Sequence, residues 1–300
     1  LKKTKVFSVV VTYNPDFTLL NYQLLALSTQ VDGIVIVDNG SNEPLKDRLS
    51  FIKNAYFISL HDNYGLPYAQ NVGIKFADAF NVDYVLLMDQ DSVPNIDMVK
   101  TLLLGFTSET IAAIGSSYID DRNHVNSFFV IEKNGRPAKL KPNLIPLISP
   151  FIEVAALISS GTLIKMNALK CIGPLRSDYF IDRVDTEWSL RARAAGYKLL
   201  GATQPLMTHT IGDEVETVWF FGWRNVPYHT PLRDYYLFRN TFHILRDVKL
   251  NLIWRLHFLK ILVLFAGYFL IFSKHRFNRL YYMSLGIFDG LKNVRGQFKH

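Results

Sequence analysis

The tripeptide Asp89-Gln90-Asp91 closes the apolar run 84–88. Alternate residues of a strand leave one face, so the two carboxylates would emerge side by side. Like charges that close repel unless a cation or ribose hydroxyls lie between them. A hard divalent ion, Mg²⁺ or Mn²⁺, takes one or two carboxylates together with the phosphate oxygens of a nucleotide. The plainer reading is a polar turn ending a buried strand.

Two other apolar runs end in comparable clusters, Thr12-Tyr13-Asn14 and Asp38-Asn39-Gly40-Ser41. A carboxylate at 38 can accept from a pyrimidine ring N–H, although an Asx-type turn would use the same residues for its own backbone. Asn63-Tyr64-Gly65 precedes a helical pattern carrying Ala69-Gln70-Asn71-Val72-Gly73. Glycine at a helix mouth, and again inside the helix, lets backbone N–H groups come close to a ligand. Tight packing of helix on sheet explains Gly73 equally well.

Further along, Asp182-Arg183-Val184-Asp185-Thr186-Glu187-Trp188 gathers three carboxylates at a helix start. Asp185 is placed to cap that helix, since acids favour the first turn. It is also placed to act as a general base towards an attacking hydroxyl. Asp182, Glu187 and Trp188 would orient the acceptor or stay structural. His209 follows an apolar strand pattern and offers an imidazole nitrogen to a metal, or an ordinary hydrogen bond.

These residues need a scaffold that brings distant positions together. Runs at 6–11, 33–38, 56–60, 84–89 and 112–118 read as strands, and 17–29, 44–52, 66–79 and 96–106 as helices between them. Apolar strands with little alternation, separated by helices, predict an α/β fold with a mostly parallel sheet flanked by helices. Ligands of such sheets bind beyond the carboxyl ends of the strands, where all three polar clusters fall. Residues 120–150, with Asn134-Gly135 and several prolines, read as an irregular loop over that site. A helix over about 186–195 should end at Gly196.

A single cysteine, Cys171, excludes an internal disulfide or a thiolate metal cluster and fits a reducing compartment. The basic, apolar start of the chain lacks a cleavage pattern and reads as the first strand rather than a signal peptide. Net charge is +7, unevenly spread: from Arg224 onward 13 Lys/Arg stand against 3 Asp/Glu, a segment of +10 joined to a remainder of −3. The tail repeats apolar residues at helical spacing over 232–250, and 261–273 carries no charge. A bilayer span needs roughly 20 apolar residues, so an in-plane or re-entrant helix on an anionic membrane surface is expected, with a true span or a plain core helix as the alternatives. The apolar run argues against nucleic acid as the partner of the basic tail.

Taken in order, the motifs resemble the inverting glycosyltransferases of family 2, which have the GT-A fold with its Rossmann-like sheet. They are Val11-Thr12-Tyr13-Asn14, Val37-Asp38-Asn39-Gly40-Ser41, Asn63-Tyr64-Gly65, Asp89-Gln90-Asp91, Ser160-Gly161 and Asp185-Thr186-Glu187-Trp188-Ser189-Leu190-Arg191-Ala192. The match covers about residues 5–213. Asn14-Pro15, Ala69-Gln70-Asn71-Val72-Gly73 and His209-Thr210-Ile211-Gly212-Asp213 look most like the bacterial rhamnosyltransferase branch. The resemblance departs at Val184, where many relatives carry an acid, and at Gln70, where many carry Arg.

The resemblance implies a catalytic domain over 1–223, with a nucleotide-binding half to about 118 and an acceptor half beyond it, then a helical membrane-associating extension over 224–300. Thr12, Tyr13, Asn14, Asp38, Asn63, Gly65 and Asn71 would bind the donor, with Asp89 at the ribose. Asp91 and His209 would hold Mg²⁺ or Mn²⁺, and Asp185 would be the base. The donor implied is dTDP-β-L-rhamnose, the acceptor a lipid-linked oligosaccharide, and the location the cytoplasmic face of a bacterial membrane. Rivals are a relative using a UDP-hexose or galactofuranose donor, a sugar-nucleotide pyrophosphorylase, and a non-catalytic carbohydrate- or membrane-binding module. The pyrophosphorylase should carry a Gly/Arg-rich loop after the first strand, where this chain has Thr12-Tyr13-Asn14-Pro15.

Overall fold

A computed structural model describes residues 3–49, 52–120, 126–142, 149–209, 214–219, 223–273 and 275–299, with 214–219 and 223–228 described by their backbone. The elements run β1 (Val6–Thr12), α1 (Phe17–Ser28), β2 (Gly33–Asp38), β3 (Ala55–Ser59), α2 (Leu66–Asp78), β4 (Tyr84–Asp89), β5 (Ser92–Pro94) and α3 (Met98–Leu104). They continue with β6 (Ile111–Asp120), β7 (Phe129–Lys133), β8 (Arg136–Leu140), β9 (Phe151–Val154), β10 (Thr162–Lys165), α4 (Met166–Ile172), α5 (Val184–Ala194) and β11 (Lys198–His209). Two strands, β12 (Glu214–Trp219) and β13 (Trp223–Tyr228), precede α6 (Pro231–Asp247), α7 (Leu252–Phe272) and α8 (Arg276–Lys292).

Nine strands form one sheet in the order β3-β2-β1-β4-β10-β6-β11-β5, with β9 paired to β11. Strands β1 to β4 are mutually parallel, and β10 enters antiparallel between β4 and β6. The two-residue period divides the apolar strand residues between two cores. Val9, Val11, Val35, Val37, Val85 and Leu87 face one side, with α2 and α5. Val10, Ile34, Ile36, Leu86 and Met88 face the other, with α1 and α3. Asp89 extends the first series, so its side chain leaves β4 on the face that α5 covers.

Three expectations change. Residues 44–52 form no α-helix among those described, only a 3₁₀ turn at Asp47–Leu49. Part of 120–150 is regular: β7 and β8 make an antiparallel hairpin whose turn residues, Asn134 and Gly135, have φ of 52° and 73°. A type I′ turn needs two positive φ values, and Asn-Gly is the dipeptide that supplies them. Helix α5 starts earlier than Asp185, with Arg183 at the N-cap (φ 66°) and Asp185 in the first turn accepting from Thr186 N at 2.6 Å. Gly196 does terminate that region at φ 85°.

Helix α6 buries Arg239, Asn240, Thr241 and His243 completely. Among the described residues, α7 is long and apolar enough to cross a bilayer, and little of it is buried. Leu256, Val263, Leu264 and Ile271 of α7, with Phe277, Phe288 and Leu291 of α8, lie open beside exposed Arg255, Lys260, Arg276 and Lys292.

Candidate functional site

A cleft of about 570 Å³ opens at the carboxyl ends of β1 and β4. Its walls include Tyr13, Asn39, Asn63, Gly65, Asp89, Gln90, Asp91, Asp182, Asp185, His209 and Arg233. The acids at 89, 91, 182 and 185 therefore share one space, while Asp38 lies just beneath it, almost fully buried.

The turn between β4 and β5 is fixed from both sides. Gln23 of α1, fully buried, donates its amide to the carbonyls of Asp89 and Ser92. The Gln90 side chain accepts from Tyr13 N at 2.7 Å and donates to Tyr13 O at 3.2 Å, pairing with the β1 loop much as a strand would. Between these two ties, Asp89 and Asp91 have little freedom.

One carboxylate oxygen from each, and one ring nitrogen of His209, all lie within 4.8 Å of one another. Asp91 Oδ1 sits 3.3 Å from His209 Nδ1, yet it is buried with no hydrogen-bond donor aligned on it. Ser92 Oγ meets His209 Nδ1 at 2.6 Å and accepts from Ser160 Oγ at 2.7 Å, which fixes the ring. Two carboxylates and one imidazole, with an oxygen of Asp91 left as an unpaired buried acceptor, fit a small divalent cation.

The charges corroborate this crowding. Burial, Asp91 and Asp185 push the Asp89 carboxyl up to about 6, against the pull of His209 and Arg233. Burial alone would lower His209, but the adjoining carboxylates of Asp91 and Asp89 raise it. Asp185 is raised by burial, opposed by the Thr186 N–H and by Arg183.

The donor shelf is a web of short polar side chains. Asp38 accepts from Thr12 Oγ1 at 3.3 Å and from Ser41 Oγ and N. Asn14, at φ 46°, accepts from Asn42 N and donates its own N–H to Ser41 Oγ. Asn39 Nδ2 donates to Asn63 Oδ1 at 3.0 Å, and Asn63 accepts also from Gly65 N. Gly65 (φ 88°) does permit a close approach, but to protein: a side chain there would strike Phe180, whose carbonyl accepts from Leu66 N at 2.8 Å.

Residue by residue, the predicted set divides. Tyr13, Asn63, Gly65, Asp89, Asp91, Asp182, Asp185 and His209 line the cleft; Thr12 and Asp38 lie under it, and Asn14 ties the β1 and β2 loops. Asn71 is elsewhere, bonded to the backbone of Leu175 and to Ser177 Oγ. Glu187 is buried in a two-pronged ion pair with Arg191, and Trp188 Nε1 donates to Gly173 O. Gly73 lets α2 lie on Val9 of β1, so packing is what it serves.

Sequence reasoning missed Arg233, whose guanidinium reaches the cleft gripped by Asp182 at 2.7 and 3.2 Å. It also missed the turn before α5, where Phe180, Asp182 and Arg183 all have φ above 60°. No compositional signal marks either. The segment 210–213 that followed His209 in the motif lies outside the described residues.

Comparison with known proteins matches this geometry. Residues 9–173 fit the family described as Glycosyl transferase family 2. The chain is 30% identical over 294 residues to a "dTDP-rhamnosyl transferase RfbF" of Shigella flexneri, covering 98% of this chain and 97% of that one. Its fold is similar to S. aureus TarS 1-349 in complex with UDP-GlcNAc (TM-score 0.60, 17% identity, 97% of this chain and 82% of that one). It is similar also to GalNAc-T7 with UDP, GalNAc and Mn²⁺ (TM-score 0.62, 13% identity, 97% and 58%). These structures have the GT-A fold, and the α/β sheet with its cleft is that fold. By family match and near-full-length relationship together, the chain is a glycosyltransferase of family 2.

Proposed function

We propose that the enzyme transfers L-rhamnose from dTDP-β-L-rhamnose to a hydroxyl of a lipid-linked oligosaccharide, with inversion at the anomeric carbon. The observation that carries this reading is the shared cleft, which Asp185 lines together with the cluster of Asp89, Asp91 and His209. The sugar assignment is supported by the near-full-length likeness to a dTDP-rhamnosyl transferase.

Asp38, Asn39 and the Thr12–Asn14 loop would hold the base and ribose, with Asp89 at the ribose edge. Asp91 and His209 would hold Mg²⁺ or Mn²⁺, which when bound supplies Lewis-acid stabilisation of the departing diphosphate. Arg233, held by Asp182, adds a positive charge to the same cleft. Asp185 accepts the proton of the acceptor hydroxyl as its oxygen bonds to the anomeric carbon, and the carbon–oxygen bond to the diphosphate breaks on the opposite face. Burial raises the affinity of Asp185 for that proton, as a base requires.

The exposed apolar residues of α7 and α8, rimmed by Arg255, Lys260, Arg276 and Lys292, suit an in-plane seat on an anionic cytoplasmic leaflet. That seat would set the cleft beside a polyprenyl-linked acceptor.

The test is a screen of dTDP-rhamnose, UDP-glucose and UDP-galactofuranose with purified enzyme and vesicle-borne acceptor. Metal-dependent release of dTDP from dTDP-rhamnose is expected. Release from a UDP-sugar alone would reassign the donor, and turnover of none would overturn this donor and acceptor assignment.

A further inference from the structure

The run that leads into α5 is held in shapes that L-residues avoid. Phe180 sits at φ 66°, ψ −57°, and Ile181 N donates to Tyr179 O at 2.8 Å, which is the rare γ-turn. Asp182 and Arg183 follow with φ of 62° and 66°. Such a run persists only where its surroundings over-determine it.

The determinants come from α6. Asn240 Nδ2 donates to the carbonyls of Tyr179, Ile181 and Asp182 at 2.9, 2.8 and 3.0 Å. Its neighbour Arg239 donates to Tyr179 O at 3.1 Å and to Gly296 O at 2.6 Å, and its Nε is steered by Asn240 Oδ1. Both side chains are fully buried, and the guanidinium rests over Tyr235 and Tyr236. The hydrogen bonds of this buried cation run to carbonyl, amide and hydroxyl oxygens, an expensive arrangement that mere helix packing would not require.

We infer that Arg239 and Asn240 are positioning residues, which hold the 178–183 turn in its left-handed shape and so aim Asp185 at the acceptor. The inference rests on Asp185 being the base proposed above. It makes the first of the C-terminal helices part of the active site, although it contributes these two residues through the backbone of another segment.

Asn240→Ala should lower kcat about 10²-fold, the scale of an ångström's misplacement, while KM for the donor and the stoichiometry of metal-dependent nucleoside diphosphate binding stay as in the wild type. Asn240→Ser keeps one donor and should recover about a tenfold part of the loss. Phe238→Leu, one turn face away in the packing of α6 on α7, is the control: it should lower the melting temperature and leave kcat unchanged in the folded fraction.

Wild-type kcat in Asn240→Ala would overturn the inference. So would losses of turnover that simply follow melting temperature across all three variants, or failure of both Asn240 variants to fold and bind nucleotide. A wild-type enzyme that transfers no sugar overturns the reading of Asp185 and this inference together. An active wild type with an equally active Asn240→Ala overturns this inference alone.

Discussion

His209 Nδ1 and Asp91 Oδ1 stand 3.3 Å apart in the cleft, one from the last residue of β11 and the other from the turn after β4. Asp91→Ala removes a hard oxygen ligand and leaves the imidazole alone. Titration of nucleoside diphosphate with and without EDTA should show strong metal dependence in the wild type and none in Asp91→Ala. Equal affinity of the two proteins in Mg²⁺ would exclude Asp91 as a ligand.

Asp185→Asn keeps the shape of the side chain and removes its basicity. Turnover should fall by at least ~10², the lower end of what a general base contributes, with nucleotide binding intact. Turnover within a few-fold of wild type would disqualify Asp185.

His243 makes the fold pH-sensitive in a definite direction. Its Nε2 pairs with Val294 O at 3.0 Å, while Nδ1 is buried without a partner. Burial and the nearby Arg295, Arg239 and Arg246 press its pKa down to about 4. The unfolded chain takes up a proton near pH 6.5 and the folded one does not, so stability is full above about pH 6.5 and declines as pH falls towards 4. After discounting for solvent screening, the loss is about 2 kcal/mol. Urea midpoints at pH 7.5 and 5 should therefore converge in His243→Gln relative to the wild type; a parallel drop in both proteins would refute the assignment.

Gly73→Ala tests what that glycine serves. Alanine gains about 1 kcal/mol of helix propensity, but its Cβ would enter the space of the Val9 side chain. Overpacking of this kind costs about 1–3 kcal/mol, so a net loss of stability with unchanged nucleotide affinity is expected. Weakened nucleotide binding at full stability would favour a ligand-approach role instead.

Local periodicity made the first half of the fold readable. The bounds of β2 and β4 follow their apolar runs because both strands are packed on two faces and carry no charged residue before the closing Asp38 and Asp89. The hairpin of β7 and β8 was obscured because its strands are short and only partly buried, and prolines nearby suggested a loop. At the site, Asp89 and Asp91 were legible because two carboxylates on one strand end need a reason. Arg233 was not: it reaches the cleft through the path of α6, and its grip on Asp182 depends on a turn whose left-handed residues are ordinary Phe, Asp and Arg. The partners of Asn71 were equally hidden, since only the fold brings Leu175 and Ser177 against a polar residue near a helix mouth.

The insertion of β10 between β4 and β6 bears on how the chain is made. Strands β1 to β4 assemble from contiguous sequence, yet the outer border of β4 waits for residues 162–165 before its N–H and C=O groups are matched. During synthesis that border is a bare template for pairing with another nascent chain. Fragments ending before residue 162 should accordingly be aggregation-prone, however complete their nucleotide-binding strands.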